Sequence, residues 1–459
     1  MGTLSQIREG LDRLETAMEE ARVAMGSVPR GYFTPDEDDT VRQMQLAYRN
    51  YRLALLEIVD RYREFEPIAE RPDQLRAFIV GYAAGLTLFA KSLKLVQTFR
   101  DTPVVRRKLN EPEPSFGLEE GFFDTILAGY TSLDNYALVV DAGRFWRRHR
   151  AEVRRLGIDR EPGIDVLCEV IRRQRSVVRR RFYRALPERL SFLSRTFFTL
   201  LRRPVHDVRY GLQAFALGAV GGLVRPTGPP CFDEDILSEL RPHLRTGDVL
   251  MMRTERKLTT SLFPGFWIHA ALYLGRPDDL TAMGLEVHPG VRPHWEAISA
   301  GRRFGCVVQG ISPHVAITAL EACLRVDHVA VLRPRLDEAE RVEVALESLS
   351  HVGKPYDFEF DFSQSHRLVC TGLVYRSYDG RGPINLTLVR RFGRFTLTCD
   401  ELCEQALLAR PDQEAPFNLE ALVLQATDGR PHLFRNDDAM RHLRAIQDGM
   451  RPSRELELT

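Results

Sequence analysis

The sequence predicts an α+β protein in which an all-α helical bundle is followed by a mixed α+β domain. Three observations predict it. Apolar residues recur at three- and four-residue intervals through the first 225 positions, with no strand-like alternation of any length. Between Val224 and Glu234 the run Arg-Pro-Thr-Gly-Pro-Pro-Cys-Phe-Asp cannot continue a helix. Beyond it, short apolar runs split by Gly, Pro and Asp are interspersed with helical patterns.

In the helical half, Leu4, Ile7, Leu11, Leu14 and Met18 form one stripe that ends at Gly26. The second helix has a defined start, with Thr34 as N-cap, Pro35 at the first helical position and Glu37 where a capping box places its acid. A third follows Arg71-Pro72-Asp73 and runs to about Phe99; others are expected near 118–156 and 162–202. An antiparallel bundle buries such stripes. In the second half, strands are expected at Asp248–Met252, Trp267–Leu274, Leu285–Val287 and His328–Leu332, and helices at 315–325, 337–351 and 370–378. After about 410 come a short extension, with a hairpin around Asp428-Gly429, and a polar tail. The expected domains are 1–225, 226–410 and 411–459.

Composition narrows the function classes. Lys+Arg 64 against Asp+Glu 63 leaves no global field that would favour nucleic acid. The basic side is almost all arginine, a bias that usually reflects a GC-rich genome. No apolar signal core follows a basic start, and Gln6 breaks the myristoylation pattern. The best apolar stretches, Phe78–Ala90 and Leu212–Val224, fall short of the roughly 20 residues of a spanning helix. Seven cysteines, an odd number, fit a reduced-thiol compartment better than a disulfide framework. A cytoplasmic protein is expected.

Two segments carry chemistry. In Trp267-Ile-His-Ala-Ala-Leu-Tyr-Leu-Gly275, period-two alternation places His269, Ala271 and Tyr273 on one strand face. Small neighbours leave room for another group to approach the imidazole; alone, the same residue reads as a half-buried histidine satisfied by backbone. The second segment runs from Gly353 to Tyr378. Asp357–Phe362 alternates three acids with three phenylalanines, as in a strand or an extended lid, and a polar turn at Ser363–His366 follows. Leu373, Val374 and Ser377 then lie at i+3, i+4 and i+7 from Cys370, which puts that cysteine in the first turn of a helix. Unpaired N–H groups and the dipole there lower a thiol pKa. A cysteine on its own is more often an inert small hydrophobe.

Together with Gly247-Asp-Val-Leu250, Glu286 followed by Gly290-Val291, Val329-Ala-Val-Leu-Arg-Pro334, Gly353-Lys-Pro-Tyr-Asp-Phe358 and Thr396-Leu-Thr398, these segments stand in one order. That order resembles the YiiX/YebB-like group of permuted NlpC-type papain-fold proteins, relatives of lecithin–retinol acyltransferase. The resemblance spans 243 to 408 and says nothing of the helical half. It implies a circularly permuted papain-like (NlpC-type) α+β domain acting as a thiol-dependent hydrolase or acyltransferase on an amide, ester or thioester. In that family Cys370 would attack a carbonyl carbon and His269 would act as its base. Glu286 stands where the family places its acid and is favoured as the third residue, because a carboxylate also stabilises imidazolium. His288, on the same face if the segment is a strand, is the alternative. The backbone N–H of Cys370 would meet the oxyanion, with Tyr273 or Tyr356 as a further oxyanion or substrate contact. No cofactor and no metal are implied. The substrate class is a small molecule, a peptide or an acyl lipid.

One departure stands out. The family usually has Cys-Ser-Glu-Leu-Val where this chain has Cys-Thr-Gly-Leu-Val, so Gly372 replaces a carboxylate in the first turn. A second function follows from it: a papain-like domain with weak or no turnover, serving as a binding or scaffold protein. Cys399 and Cys403, at i and i+4 without a second ligand pair, read as structural packing rather than a metal site. Finally, Arg172 to Arg189 precede an apolar aromatic run and Arg202-Arg203 close it. Residues 172–203 are therefore either a bundle helix with a solvated arginine face or a peripheral membrane contact that draws anionic headgroups.

Overall fold

The computed structural model describes residues 2–26, 32–63, 65–113, 118, 120–131, 133–178, 232, 234–254, 265–300, 303–391, 393–409, 414–426 and 429–447. The chain divides into two compact units, Met1–Arg225 and Pro226–Thr459.

Among the described residues, the helices of the first unit are α1 (Gly2–Gly26), α2 (Pro35–Arg63), α3 (Arg71–Phe99), α4 (Pro103–Asn110), α5 (Phe122–Thr131), α6 (Leu133–Arg155) and α7 (164–178). Leu4, Ile7, Leu11 and Met18 are buried as their spacing requires. The capping box forms: Glu37 accepts from the Thr34 N–H at 2.8 Å while Thr34 Oγ1 accepts from the Glu37 N–H at 3.4 Å. Helix α3 is long and apolar enough to cross a membrane by length and composition, more so than the stretch 78–90 suggested. Its apolar window is 72% buried, the pattern of a core helix. Of the arginine-rich stretch 172–203, only residues up to Val178 are described; there Arg172 and Arg173 both pair with Glu169. The membrane contact proposed for the remainder lies outside the described residues.

The second unit is α+β. Its elements are α8 (Glu234–Leu240), β1 (Asp248–Arg253), β2 (His269–Gly275), α9 (Pro277–Ala282), α10 (Trp295–Ser299), β3 (Cys306–Gly310), β4 (Val315–Ala319), α11 (Leu320–Cys323), β5 (His328–Pro334), α12 (Glu338–Ser350), α13 (Cys370–Tyr378), β6 (Val389–Arg391), β7 (Arg394–Thr396), α14 (Cys399–Leu407), β8 (Phe417–Gln425), β9 (Pro431–Phe434) and α15 (Asn436–Gln447). Seven strands make one antiparallel sheet in the order β4-β3-β2-β1-β5-β8-β9. Alternation sorts each strand onto two faces. Ala270, Leu272 and Leu274 pack with Leu373, Val374 and Leu402 on one side. Ala271 and Tyr273 pack with Ile236, Leu240 and Leu320 on the other.

The Gly-Asp motif at the start of β1 is an anchor. Asp248, fully buried, accepts from Arg333 Nε at 2.9 Å, Arg333 Nη2 at 2.8 Å and the Arg245 N–H at 2.7 Å. The Tyr378 hydroxyl, at the end of α13, donates to the Gly247 carbonyl and so ties the cysteine helix to the same corner.

Several elements differ from the sequence expectation. Leu285–Val287 is a 3-10 turn, not a strand, because Gly284 enters it in a left-handed conformation. Residues 315–319 form β4, and only one turn of helix follows. The acid–phenylalanine alternation at 357–362 is a turn: Asp357 accepts from the N–H groups of Glu359 (3.0 Å) and Asp361 (2.7 Å), which folds the chain back on itself. The segment after 410 is no appendage. Phe417, Leu422 and Leu424 of β8 and Ala439, Leu443 and Ile446 of α15 belong to the main core, and the hairpin expected near Asp428-Gly429 joins β8 to β9. The polar tail from 448 lies outside the described residues.

Candidate active site

Cys370 is the first residue of α13, and the N-terminus of that helix abuts the last residue of β3, Gly310. A Cβ at Gly310 would stand 2.9 Å from the Cys370 nitrogen and 2.9 Å from the Val369 carbonyl carbon, so only glycine lets helix and strand approach this closely. Pairing between β2 and β3 starts at Ala271↔Gln309. One residue outside that ladder is Ala270, whose N–H helps to lower the Cys370 pKa. His269, the half-buried first residue of β2, stands at the same opening, close enough for its charge to favour the thiolate. The structure therefore brings the two residues together.

The other sequence candidates go elsewhere. Glu286 is exposed in the 3-10 turn and accepts from Thr281 Oγ1 at 2.8 Å. His288 Nδ1 accepts from the Gly290 N–H at 3.1 Å. Neither bonds His269, because without a strand at 285–287 the two do not share a face aimed at it. Tyr273, 1% exposed, faces the opposite side of the sheet and donates to the Phe304 carbonyl at 2.9 Å, which removes it from any oxyanion contact. Tyr356 lies beside the strand-like approach to Cys370, bridged to Leu368, with its ring 5.0 Å from that of Phe358.

The partner of the imidazole is instead Gln309. His269 Nε2 and Gln309 Oε1 are 2.8 Å apart, and Gln309 Nε2 donates to Thr318 Oγ1 at 2.6 Å. With the amide oxygen placed toward the ring, the ring nitrogen is the donor. The signal was available: Gln309 is a lone amide in the buried run Cys306-Val-Val-Gln-Gly310.

Cys399 was also missed. It opens α14 as Cys370 opens α13, behind a capping box in which Thr398 accepts from the Glu401 N–H. Its neighbours pin it to the site. Thr371 Oγ1 donates to the Leu397 carbonyl at 2.8 Å, and Asp400 accepts from the N–H groups of Phe266 (2.8 Å) and Trp267 (2.9 Å), just before His269. Cys399 lies close enough to Cys370 to influence its thiol. Cys403, fully buried one turn later, remains packing.

Electrostatics follow from these contacts. Cys399 beside it is the largest influence holding the Cys370 thiol well below its ordinary 9.0; burial opposes it, and His269 and the Ala270 N–H add to it. The same proximity, with burial, pushes Cys399 well up. No cluster able to hold a metal ion occurs among the described residues.

Residues 243–422 match the model of the permuted papain-like amidase family, YaeF/YiiX, C92. The resemblance carried by the motifs is thereby shown, over a stretch that includes every residue of this site. No curated protein and no solved structure matches the chain. The α+β unit thus matches a permuted papain-like family, with the histidine strand ahead of the cysteine helix.

Proposed function

We propose that the C92-type domain is a thiol hydrolase in which Cys370 is the nucleophile, His269 the general base and acid, and Gln309 the group that orients the imidazole. The observation that carries this is Cys370 at a helix N-terminus, its pKa lowered by its surroundings, beside a His269 whose ring is fixed by Gln309. The thiolate attacks the carbonyl carbon of an amide, ester or thioester, and the tetrahedral oxyanion is met by the backbone N–H groups of the first helical turn. Imidazolium protonates the leaving group as the C–N, C–O or C–S bond breaks, leaving a thioester on Cys370. His269 then takes a proton from water, which cleaves the thioester; a different acceptor in place of water makes the reaction acyl transfer. Gln309 keeps Nε2 of the ring as the donor, so that the other ring nitrogen serves the sulfur.

The substrate is a peptide, a small acyl compound or an acyl lipid. The test is incubation with an activated ester and, separately, with a chloroacetamide probe, followed by mass spectrometry of the cysteine peptides. An acyl adduct on Cys370 and His269-dependent alkylation at pH 7 are expected. Alkylation of Cys370 no faster than of the other cysteines would favour the scaffold role that Gly372 suggested.

A further inference from the structure

The chain on either side of Cys399 is fastened beside the candidate dyad. Leu397, two residues before it, accepts from Thr371, next to Cys370, and Asp400 holds Phe266 and Trp267, just before His269. Both cysteines are the first residues of their helices and lie in one apolar cluster. Hydrolysis has no use for a second thiol beside the first. From this juxtaposition we propose that Cys370 and Cys399 are a built-in oxidation site: a hydroperoxide converts the pair to a disulfide that blocks the nucleophile, and a dithiol reverses it.

The chemistry balances in two steps. The Cys370 thiolate attacks the terminal oxygen of the hydroperoxide; an S–O bond forms, the O–O bond breaks, and the alkoxide or hydroxide leaves and takes up a proton. Two electrons pass from sulfur to the peroxide. The Cys399 sulfur then attacks the sulfenic sulfur, the S–S bond forms as the S–O bond breaks, and the Cys399 proton leaves with hydroxide as water. A disulfide needs its sulfurs at about 2.05 Å, with the Cα atoms about 4.4–6.8 Å apart. Cys370 is the attacking member because its surroundings lower its pKa while those of Cys399 raise it. Without Cys399 the sulfenic acid would advance to the sulfinic acid, which dithiols do not reduce. The inference rests on a reactive thiolate and a resolving thiol, and needs no turnover of any substrate.

The experiment uses the full-length, fully reduced chain. It is treated with one equivalent of hydrogen peroxide, quenched with iodoacetamide, and mapped without reduction. A peptide pair linked through Cys370 and Cys399 is expected. Iodoacetamide labelling of Cys370 should fall about tenfold and return with dithiothreitol. In Cys399→Ser, and in Cys399→Ala should the serine variant not fold, a dimedone adduct and then sulfinic acid should accumulate on Cys370. Oxidised wild-type protein that carries sulfinic acid at Cys370 without the cross-link, or that links Cys399 to Cys403 instead, would overturn the proposal. A cross-link in a protein that hydrolyses nothing would retain it while removing the hydrolase function, so the two fail separately.

Discussion

Gln309→Leu is the most discriminating substitution in the candidate site. Leucine nearly preserves volume but removes the acceptor 2.8 Å from His269 Nε2 and the donor 2.6 Å from Thr318 Oγ1. At 6% exposure, Gln309 leaves little room for water to take over the acceptor. A hydrogen bond to a charged group contributes about 1.5–3 kcal/mol, and the bond to His269 is strongest when the ring is imidazolium. At 1.36 kcal/mol per pKa unit that is a shift of roughly one to two units. The pH profile of Cys370 alkylation should therefore move upward by that amount, and hydrolysis should slow about 10–100-fold at neutral pH. Gln309→Glu provides the contrast: a carboxylate in the same place favours imidazolium, so its profile should not move upward. Chloroacetamide rates measured residue by residue across pH check both variants. A Leu variant whose profile superimposes on wild type, in a protein with an unchanged melting curve, would refute the assignment of Gln309 as the orienting group.

Four further outcomes follow from the same geometry. Cys370 should alkylate rapidly at pH 7, below the ordinary thiol value of 9.0, while Cys168, pushed up to about 11 by burial, should remain unlabelled by the same probe in the native protein. Gly310→Ala puts a Cβ 2.9 Å from backbone atoms of Val369 and Cys370; it should cost about 1–3 kcal/mol in urea unfolding and reduce Cys370 labelling. Gly372→Ala should instead stabilise by about 0.5–1 kcal/mol, because its nearest contact, Val369 Cγ2 at 3.4 Å, is ordinary packing and alanine is the better helix former. Asp248→Ala leaves the largely buried Arg333 guanidinium with Glu420 as its remaining charged partner beside the His243 carbonyl, and should cost about 3–5 kcal/mol by urea titration.

The parts legible in the sequence are those with a local physical signature. Thr34-Pro35-x-Glu37 announces its helix because capping is a matter of four consecutive residues. The strand at His269 and the helix at Cys370 follow from periods of 2 and 3.6. The partner of the imidazole was harder to read: Gln309 stands out as a lone amide in an apolar run, but Glu286 offered a carboxylate in a presumed strand. The choice depends on whether 285–287 is a strand, and a left-handed Gly284 makes it a turn. Cys399 was hidden for a related reason. Its role comes from Thr371 and Asp400 reaching across 26 and 133 residues to bond Leu397 and Trp267, contacts that no sequence window contains. The phenylalanines of 357–362 illustrate the opposite failure. Alternation was real, yet the Asp357 carboxylate satisfied the backbone locally and removed the need for a partner strand.

What separates Cys370 from the other buried cysteines is the direction of the groups around it rather than its burial. Burial alone disfavours a thiolate, and in this chain it pushes Cys168 to about 11 and Cys403 higher still. Cys370, 5% exposed, moves the other way. The reversal comes from the polar groups gathered near one sulfur: Cys399 at another helix start, His269 and the Ala270 N–H at the beginning of β2, and the first turn of its own helix. Three separated stretches of chain supply them, and Asp400, Thr371 and Gly310 hold those stretches in contact. It also suggests why the first turn tolerates Gly372. With no acidic side chain there, nothing of like charge stands on that turn against the thiolate, and the dipole acts on the sulfur unopposed.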